Sequence, residues 1–317
     1  MEAPPQINFL IPLYNEEEVF DELVSRLTSV MDNSDLSMTV VMVDDGSLDS
    51  TSTLMQNLSL KDSRFGSVFL SRNFGHQLAL TAGLTLVDAC EAVLILDADL
   101  QDPPELIGEF YPYLKKGYDV VYAVRKKRKE NLVKKFAYKL FYVLLKRISY
   151  FDIPLDAGDF ALISRRVVND LNRMPEQSRY LRGMRSWIGY KQIGVEYERA
   201  HRHSGDTKYS FKMLLSLAYN GIFNFSTLPV KFIFNIGVLT VLTTLTYLAY
   251  VLVKKYYLGD VPEGFTGLIS TIILFGGLQL IGLGIIGEYI LRIFFQVKNR
   301  PLFIIRKYII NQNEENG

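Results

Sequence analysis

The sequence predicts an α/β domain on a mostly parallel sheet, attached to a pair of membrane-spanning helices. Three observations predict it. From residue 6 to residue 124 short β runs alternate with amphipathic helical segments, the pattern of strands joined by crossover helices. Two long apolar segments, Phe232 to Val253 and Leu268 to Phe295, each exceed the roughly 20 residues that cross a bilayer. The chain has 317 residues and 49% hydrophobic content, and the apolar excess lies in those segments rather than being spread evenly.

Short runs rich in β-branched and aliphatic residues place strands at Ile7–Ile11, Thr39–Val43, Ser67–Leu70, Ala92–Leu96 and Asp119–Ala123. The segments between them, Glu16–Met31, Ser50–Leu58, Gln77–Ala89 and Glu105–Lys116, carry helical spacing. Residues 131 to 148 form an amphipathic helix with Lys135, Lys139 and Lys146 on one side and Phe136, Leu140, Val143 and Leu144 on the other. Such a helix suits a membrane interface, and a second runs from Ser210 to Phe223. Both patterns also fit an ordinary surface helix packed on a core. Pro262 and Gly264 mark the connection between the two apolar segments, which therefore read as a hairpin. Lys208, Lys212 and Lys231 precede it and Lys298, Arg300, Arg306 and Lys307 follow it, placing both flanks in the cytoplasm. Lys254 and Lys255 in the connection weaken that asymmetry without reversing it.

This divides the chain into an α/β part at 1–130, an interfacial helix at 131–150 and a further part at 151–209. A juxtamembrane helix at 210–229, the hairpin at 230–297 and a cytoplasmic tail at 298–317 follow. Gly282-Leu-Gly-Ile-Ile-Gly287 matches G-x-G-x-x-G only literally. Inside an apolar span those glycines read as a helix-packing face, through which copies of the chain would associate as a homo-oligomer. Glu288 and Arg292, four residues apart in the same span, are placed to pair.

The net charge of +1 says little, but the interleaving of lysines with apolar residues around 125–147 favours a membrane surface over nucleic acid. One cysteine, Cys90, excludes an internal disulfide and a cysteine metal cluster. Pro4-Pro5 leads directly into a strand, so no cleavable signal peptide is expected. Cys90 and the single tryptophan, Trp187, are expected in the core. His76 is expected to open a helix beside a nucleotide pocket rather than to act as a base.

The most chemical feature is Asp97-Ala-Asp99, at the end of the run Ala92-Val-Leu-Ile-Leu96 and just before Gln101-Asp-Pro-Pro104. Open α/β sheets bind ligands outside the carboxyl ends of their strands, and two carboxylates there suit Mg²⁺ or Mn²⁺ shared with substrate phosphates. A bare D-x-D also occurs where a strand simply ends in a solvated turn. Asp44-Asp-Gly-Ser47 closes the second strand with small and acidic residues that allow close approach of a nucleotide.

Taken together, Ile11-Pro-Leu-Tyr-Asn-Glu16, Val43-Asp-Asp-Gly-Ser47, Arg72-Asn-Phe-Gly75, Leu96-Asp-Ala-Asp-Leu-Gln-Asp-Pro-Pro104 and Asp156-Ala-Gly-Asp-Phe160 resemble, in order and spacing, the motifs of family-two glycosyltransferases. With Arg202-His-Ser-Gly-Asp-Thr-Lys-Tyr-Ser210, the resemblance extends to the polyprenyl-phosphate glycosyltransferases. It is greatest for the bacterial undecaprenyl-phosphate glucosyltransferases and smaller for dolichol-phosphate mannose synthases. The resemblance implies a GT-A (nucleotide-diphospho-sugar transferase) Rossmann-like catalytic domain, with 1–130 its nucleotide-sugar-binding half and 151–209 its acceptor-side part, together with interfacial helices and a two-helix transmembrane hairpin. It implies Mg²⁺ or Mn²⁺, a UDP-sugar donor, a polyprenyl phosphate acceptor, and a multi-pass plasma-membrane protein with a cytoplasmic catalytic domain. Pro12, Tyr14, Glu16, Asp44 and Asp45 would serve the donor nucleoside, while Asp97, Asp99 and Gln101 would hold the metal and diphosphate. Asp159 and Asp99 would be the catalytic carboxylates, Asp159 as a base or by positioning the sugar. Arg125, Arg202 and Lys208 would hold the acceptor phosphate. The competing activities are a processive polysaccharide synthase, whose Gln-x-x-Arg-Trp motif is absent, and a non-catalytic scaffold or flippase.

Overall fold

A computed structural model describes residues 5–125, 157–177, 179–198, 228–258 and 264–316. These residues fall into two compact units. One contains the α/β domain together with residues 300 onward, and the other contains the two long helices. The interfacial helices expected at 131–148 and 210–223 lie outside the described residues, as do Arg202 and Lys208.

In the first unit the expected alternation is present: β1 (Ile7–Leu13), α1 (Phe20–Asp32), β2 (Met38–Asp44), α2 (Thr51–Lys61), β3 (Phe65–Leu70), α3 (His76–Leu86), β4 (Ala92–Ile95). A 3₁₀ turn (Pro104–Leu106) leads into α4 (Ile107–Lys115), then β5 (Val120–Arg125), β6 (Ala157–Ser164), α5 (Arg165–Arg173), α6 (Leu181–Ile188) and β7 (Gln192–Tyr197). The first helix begins four residues later than expected, and Glu16 and Glu17 before it donate their backbone N–H groups to Thr51 Oγ1 and Asp49 Oδ2 at the start of α2.

Among the described residues these strands and two later ones form a single nine-stranded sheet in the order β7-β5-β6-β4-β1-β2-β3-β8-β9. The core of the sheet, β4-β1-β2-β3, is parallel, and β6 enters antiparallel between β4 and β5. The two expected halves of the catalytic domain are therefore one sheet. Strands β1, β2 and β3 step outward in one direction while β4 returns to the other side of β1. The crevice beyond β1 and β4 is thus the switch point at which open sheets take ligands. Ile7, Phe9, Ile11, Met42, Phe65, Phe69 and Phe110 are fully buried on one face; Leu10, Val43, Val68, Leu80 and Ile163 are fully buried on the other.

The second unit contains α7 (Leu228–Leu258, 31 residues) and α8 (Phe265–Val297, 33 residues). Within α8, Phe275–Val297 is long and apolar enough to cross a membrane. The expected pair Glu288–Arg292 is made, at 2.9 Å. A Cβ on Gly282 would lie 3.6 Å from Ile233, so this glycine faces α7.

Three expectations are corrected. Residues 298–317 are not a loose tail: β8 (Ile305–Ile310) pairs antiparallel with β3, and β9 (Asn313–Asn316) pairs with β8. Nothing in their local pattern announces that they pair with β3, more than two hundred residues away. Trp187 is 63% exposed rather than buried, because it follows α6 residues Met184, Arg185 and Ser186, which take the buried face. Cys90 is exposed, on the loop that leads into β4.

Candidate active site

The parallel register sets Leu13 of β1 beside Asp44 of β2, so both strands deliver their following loops to the same edge. Those loops are laced together. Asn15 N donates to Ser47 Oγ (3.0 Å), Leu48 N to Asn15 Oδ1 (2.8 Å), and Glu16 N to Thr51 Oγ1 (2.9 Å). Asn15 holds φ +55°, which asparagine tolerates and most side chains do not. Pro12 is buried, Tyr14 is 43% exposed at the rim, and Asp44 is buried, with Oδ1 accepting Ser47 N at 2.9 Å.

Asp45 has a different task from its neighbour. Its two oxygens accept the backbone N–H groups of Phe74 (2.7 Å) and Gly75 (2.9 Å), tying the second loop to the third. Burial pushes its carboxyl up, opposed by those two hydrogen bonds. Gly46 makes the junction sterically feasible. At φ +74° any Cβ would lie 2.6 Å from the backbone of Arg72 and Asn73. The Arg72-Asn-Phe-Gly75 motif is thus the surface on which the Asp44–Ser47 turn rests, and it aims α3 at the crevice.

On the other side of β1, Leu96 N bonds Leu10 O (3.2 Å) and delivers Asp97 to the switch point. Antiparallel pairing matches Ile95 with Ala161; continued by two residues, it sets Asp159 across from Asp97. His76, the first residue of α3, stands between them, with Nε2 3.6 Å from Asp97 Oδ1 and 3.5 Å from Asp159 Oδ2. Burial opposes its charge, but the hydrogen bond it donates to Asp159 and the charges of Asp97 and Asp159 outweigh it, and its pKa is raised.

The loop after Asp97 is held in an uncommon conformation. Leu100 adopts φ +59°, which costs a bulky side chain roughly 1–3 kcal/mol. It is maintained because Leu100 is buried, Arg26 bonds the Leu100 carbonyl (3.4 Å) and both Glu105 oxygens, and buried Asp102 accepts the Tyr197 hydroxyl. Across the reversal Gln101 N donates to Asp99 Oδ1 at 3.2 Å.

Asp97 Oδ1 is shut off from solvent without a hydrogen-bond partner. Burial pushes its carboxyl up to about 6; His76 opposes this, and Asp102, Asp159 and Asp99 add to it. A divalent cation would answer that orphaned oxygen. Among the described residues no group of three or more Asp, Glu, His or Cys side chains forms a complete metal cage. Two carboxylates fit an ion that keeps water and shares its shell with phosphates.

Asp159 is the opposite case. Arg182 of α6 grips both of its oxygens (Nε to Oδ1 2.9 Å, Nη2 to Oδ2 3.2 Å) and Gln77 Nε2 donates to Oδ2 at 3.0 Å. Burial would raise its pKa, but the Arg182 charge and the hydrogen bonds from His76 and Arg182 hold it far below the usual carboxylate range. Gln77 Oε1 accepts Leu181 N (3.0 Å), locking the start of α6 to the start of α3. Gln77 and Arg182 were missed in the sequence. The one available signal was Arg182 and Arg185 at helical spacing before Trp187. Of the expected acceptor-side cations, Arg125 closes β5 opposite Tyr197 of β7.

Residues 9–171 match the family described as Glycosyl transferase family 2. The chain is 43% identical over 303 residues to the uncharacterized glycosyltransferase YkcC of Bacillus subtilis, covering 95% of this chain and 94% of that protein. It is 35% identical to the SfII prophage-derived bactoprenol glucosyl transferase of Shigella flexneri (95% and 98% covered). It is 34% identical to the prophage bactoprenol glucosyl transferase homolog of Escherichia coli (95% and 99% covered). With an acidic crevice at the switch point of its sheet and these relatives along nearly its whole length, the chain belongs to glycosyltransferase family 2, in the group that holds the bactoprenol glucosyl transferases.

Proposed function

We propose that this enzyme transfers glucose from UDP-glucose to polyprenyl phosphate, with inversion at the anomeric carbon, giving a lipid-linked sugar at the cytoplasmic face of the membrane. The observation that carries the reading is the orphaned Asp97 oxygen at the switch point, facing the Arg182–Asp159 pair across His76. A donor diphosphate belongs on the Asp97 side and an anionic acceptor on the cationic side. Relatives named for bactoprenol glucosylation support the sugar and the lipid.

In this reading Pro12, Tyr14, Glu16 and Asp44 receive the nucleoside, and Asp45 keeps their loop seated on 73–75. Asp97 and Asp99 hold Mg²⁺ or Mn²⁺, with Gln101 beside the diphosphate. When bound, the cation supplies charge neutralisation for the departing diphosphate. Asp97 must be ionised for this. Arg125, Arg202 and Lys208 gather the acceptor phosphate near the bilayer.

The return of β8 to the sheet supports two crossings. The chain leaves the α/β unit before α7 and rejoins the same sheet after α8, so any crossings between are even in number. With Phe275–Val297 as one, α7 is the natural second, since 31 helical residues reach roughly 46 Å at 1.5 Å each. That exceeds a hydrocarbon core of about 30 Å.

The test is purified full-length protein with labelled nucleotide sugars and a short-chain polyprenyl phosphate, followed by lipid extraction. One glucose per lipid, abolished by EDTA, is expected. No transfer from any nucleotide sugar would overturn the reading, and chains of several sugars would indicate the processive synthase instead.

A further inference from the structure

We propose that Arg182 meets the acceptor phosphate at the point of transfer, after Arg125, Arg202 and Lys208 have gathered it, and that Asp159 and Gln77 are positioning residues that hold Arg182 there. This rests on the acceptor being a lipid phosphate. The Asp159 side chain is 10% exposed, whereas Arg182 and His76, which surround it, are 32% and 42% exposed. Of the two groups bonded in the ion pair, the Arg182 guanidinium is the open one and the Asp159 carboxylate lies behind it.

Helix α6 is fixed at three points around that carboxylate. Arg182 bonds both Asp159 oxygens, Gln77 accepts Leu181 N, and Arg185 Nη2 donates to the Gly158 carbonyl at 3.0 Å. Arg185 is itself 4% exposed, and its Nε is buried without an acceptor. Two guanidiniums one turn apart on α6 thus flank residues 158 and 159, Arg182 on the Asp159 carboxylate and Arg185 on the Gly158 carbonyl, which concentrates positive charge beside the sugar position. An incoming phosphate is the anion that balances it, and a fixed guanidinium orients phosphate by paired hydrogen bonds.

The chemistry agrees. A phosphate dianion oxygen attacks the anomeric carbon and forms the new C–O bond. The C–O bond to the nucleoside diphosphate breaks, and its electron pair leaves on the diphosphate oxygen. No proton changes hands, so no base is required. Asp159, already accepting from Arg182 twice and from Gln77, is a poor proton acceptor and a good anchor.

Steady-state kinetics of the full chain in nanodiscs, with UDP-glucose and a short-chain polyprenyl phosphate, test this. Arg182→Gln should raise the acceptor KM about tenfold or more while the donor KM stays within about twofold, as expected for a lost charge-assisted contact. Arg182→Lys should recover part of the loss. Asp159→Asn combined with Arg182→Gln should be no worse than the poorer single variant, since one acts through the other. An unchanged acceptor KM in Arg182→Gln, or losses that multiply in the double variant, would overturn the proposal. Calorimetric UDP-glucose binding monitors folding; if Arg182→Gln fails to bind, Arg182→Lys decides by the same split of KM values. Failure of the unaltered protein to glycosylate any lipid phosphate would instead remove the proposed function.

Discussion

Asp97 is a carboxylate that the fold buries at a cost, which the proposed cation would relieve. Its carboxyl is raised from 3.8 to about 6 in the fold, chiefly by burial. Between those values the folded state binds more protons than the unfolded state, so this group makes stability fall as pH rises through about 6. Without a divalent ion the protein should therefore melt at a higher temperature at pH 5 than at pH 7 on account of Asp97, and Mn²⁺ should raise the pH 7 value. Asp97→Asn should remove both effects. In EDTA at pH 7 the variant should be at least as stable as the unaltered protein, while transfer falls roughly a hundredfold or more. Melting curves beside a transfer assay check it, and an Asn variant that melts lower in EDTA would contradict the burial argument. Asp97, Asp99 and Asp159 were legible in the sequence because motif spacing carried them. Gln77 and Arg182 were not, because each matters through a bond to a residue 82 or 23 positions away.

At the scale of elements, α3 is the one on which the site depends. It brings His76 and Gln77 to the crevice, and it packs onto β1 and β2 through Gly83. There a Cβ would lie 2.1 Å from Leu10 Cδ1 and 2.9 Å from Val43 Cγ2. Overpacking costs about 1–3 kcal/mol, and the better helix propensity of alanine returns up to about 1. Gly83→Ala should accordingly lower the melting temperature by roughly 2–6 °C and reduce transfer, because the helix start shifts with the helix. A higher melting temperature with full activity would mean that Leu10 simply turns aside. The strands and helices around this contact were legible from periodicity, since β1 to β5 alternate with helices of ordinary length. Trp187 was misread because composition says how often tryptophan is buried, not which face of α6 the sheet occupies. Met184, Arg185 and Ser186 took that face.

At the scale of the whole molecule, the chain after α8 belongs to the catalytic sheet. Strand β8 covers the edge of β3 from Ser67 to Leu70 and buries Ile309 completely; Ser71 N bonds Ile304 O, and Lys307 reaches Gln56. A protein cut near Pro229 would shed the long helices but also lose this edge. The fully buried isoleucine alone contributes roughly 1.5–3 kcal/mol, and the bare β3 edge would offer unpaired backbone to other chains. We therefore expect residues 1–228 to aggregate or to melt several degrees below a version in which a flexible linker joins them to residues 300–317. Only the linked version should bind UDP-glucose as the full chain does. Light scattering and calorimetry on the two proteins check this, and a monomeric, donor-binding 1–228 would mean that β3 is stable as a free edge. The same pairing joins the α/β unit to the segment that holds α7 and α8 at both ends: those helices are an excursion from one sheet, and the chain that makes it must return.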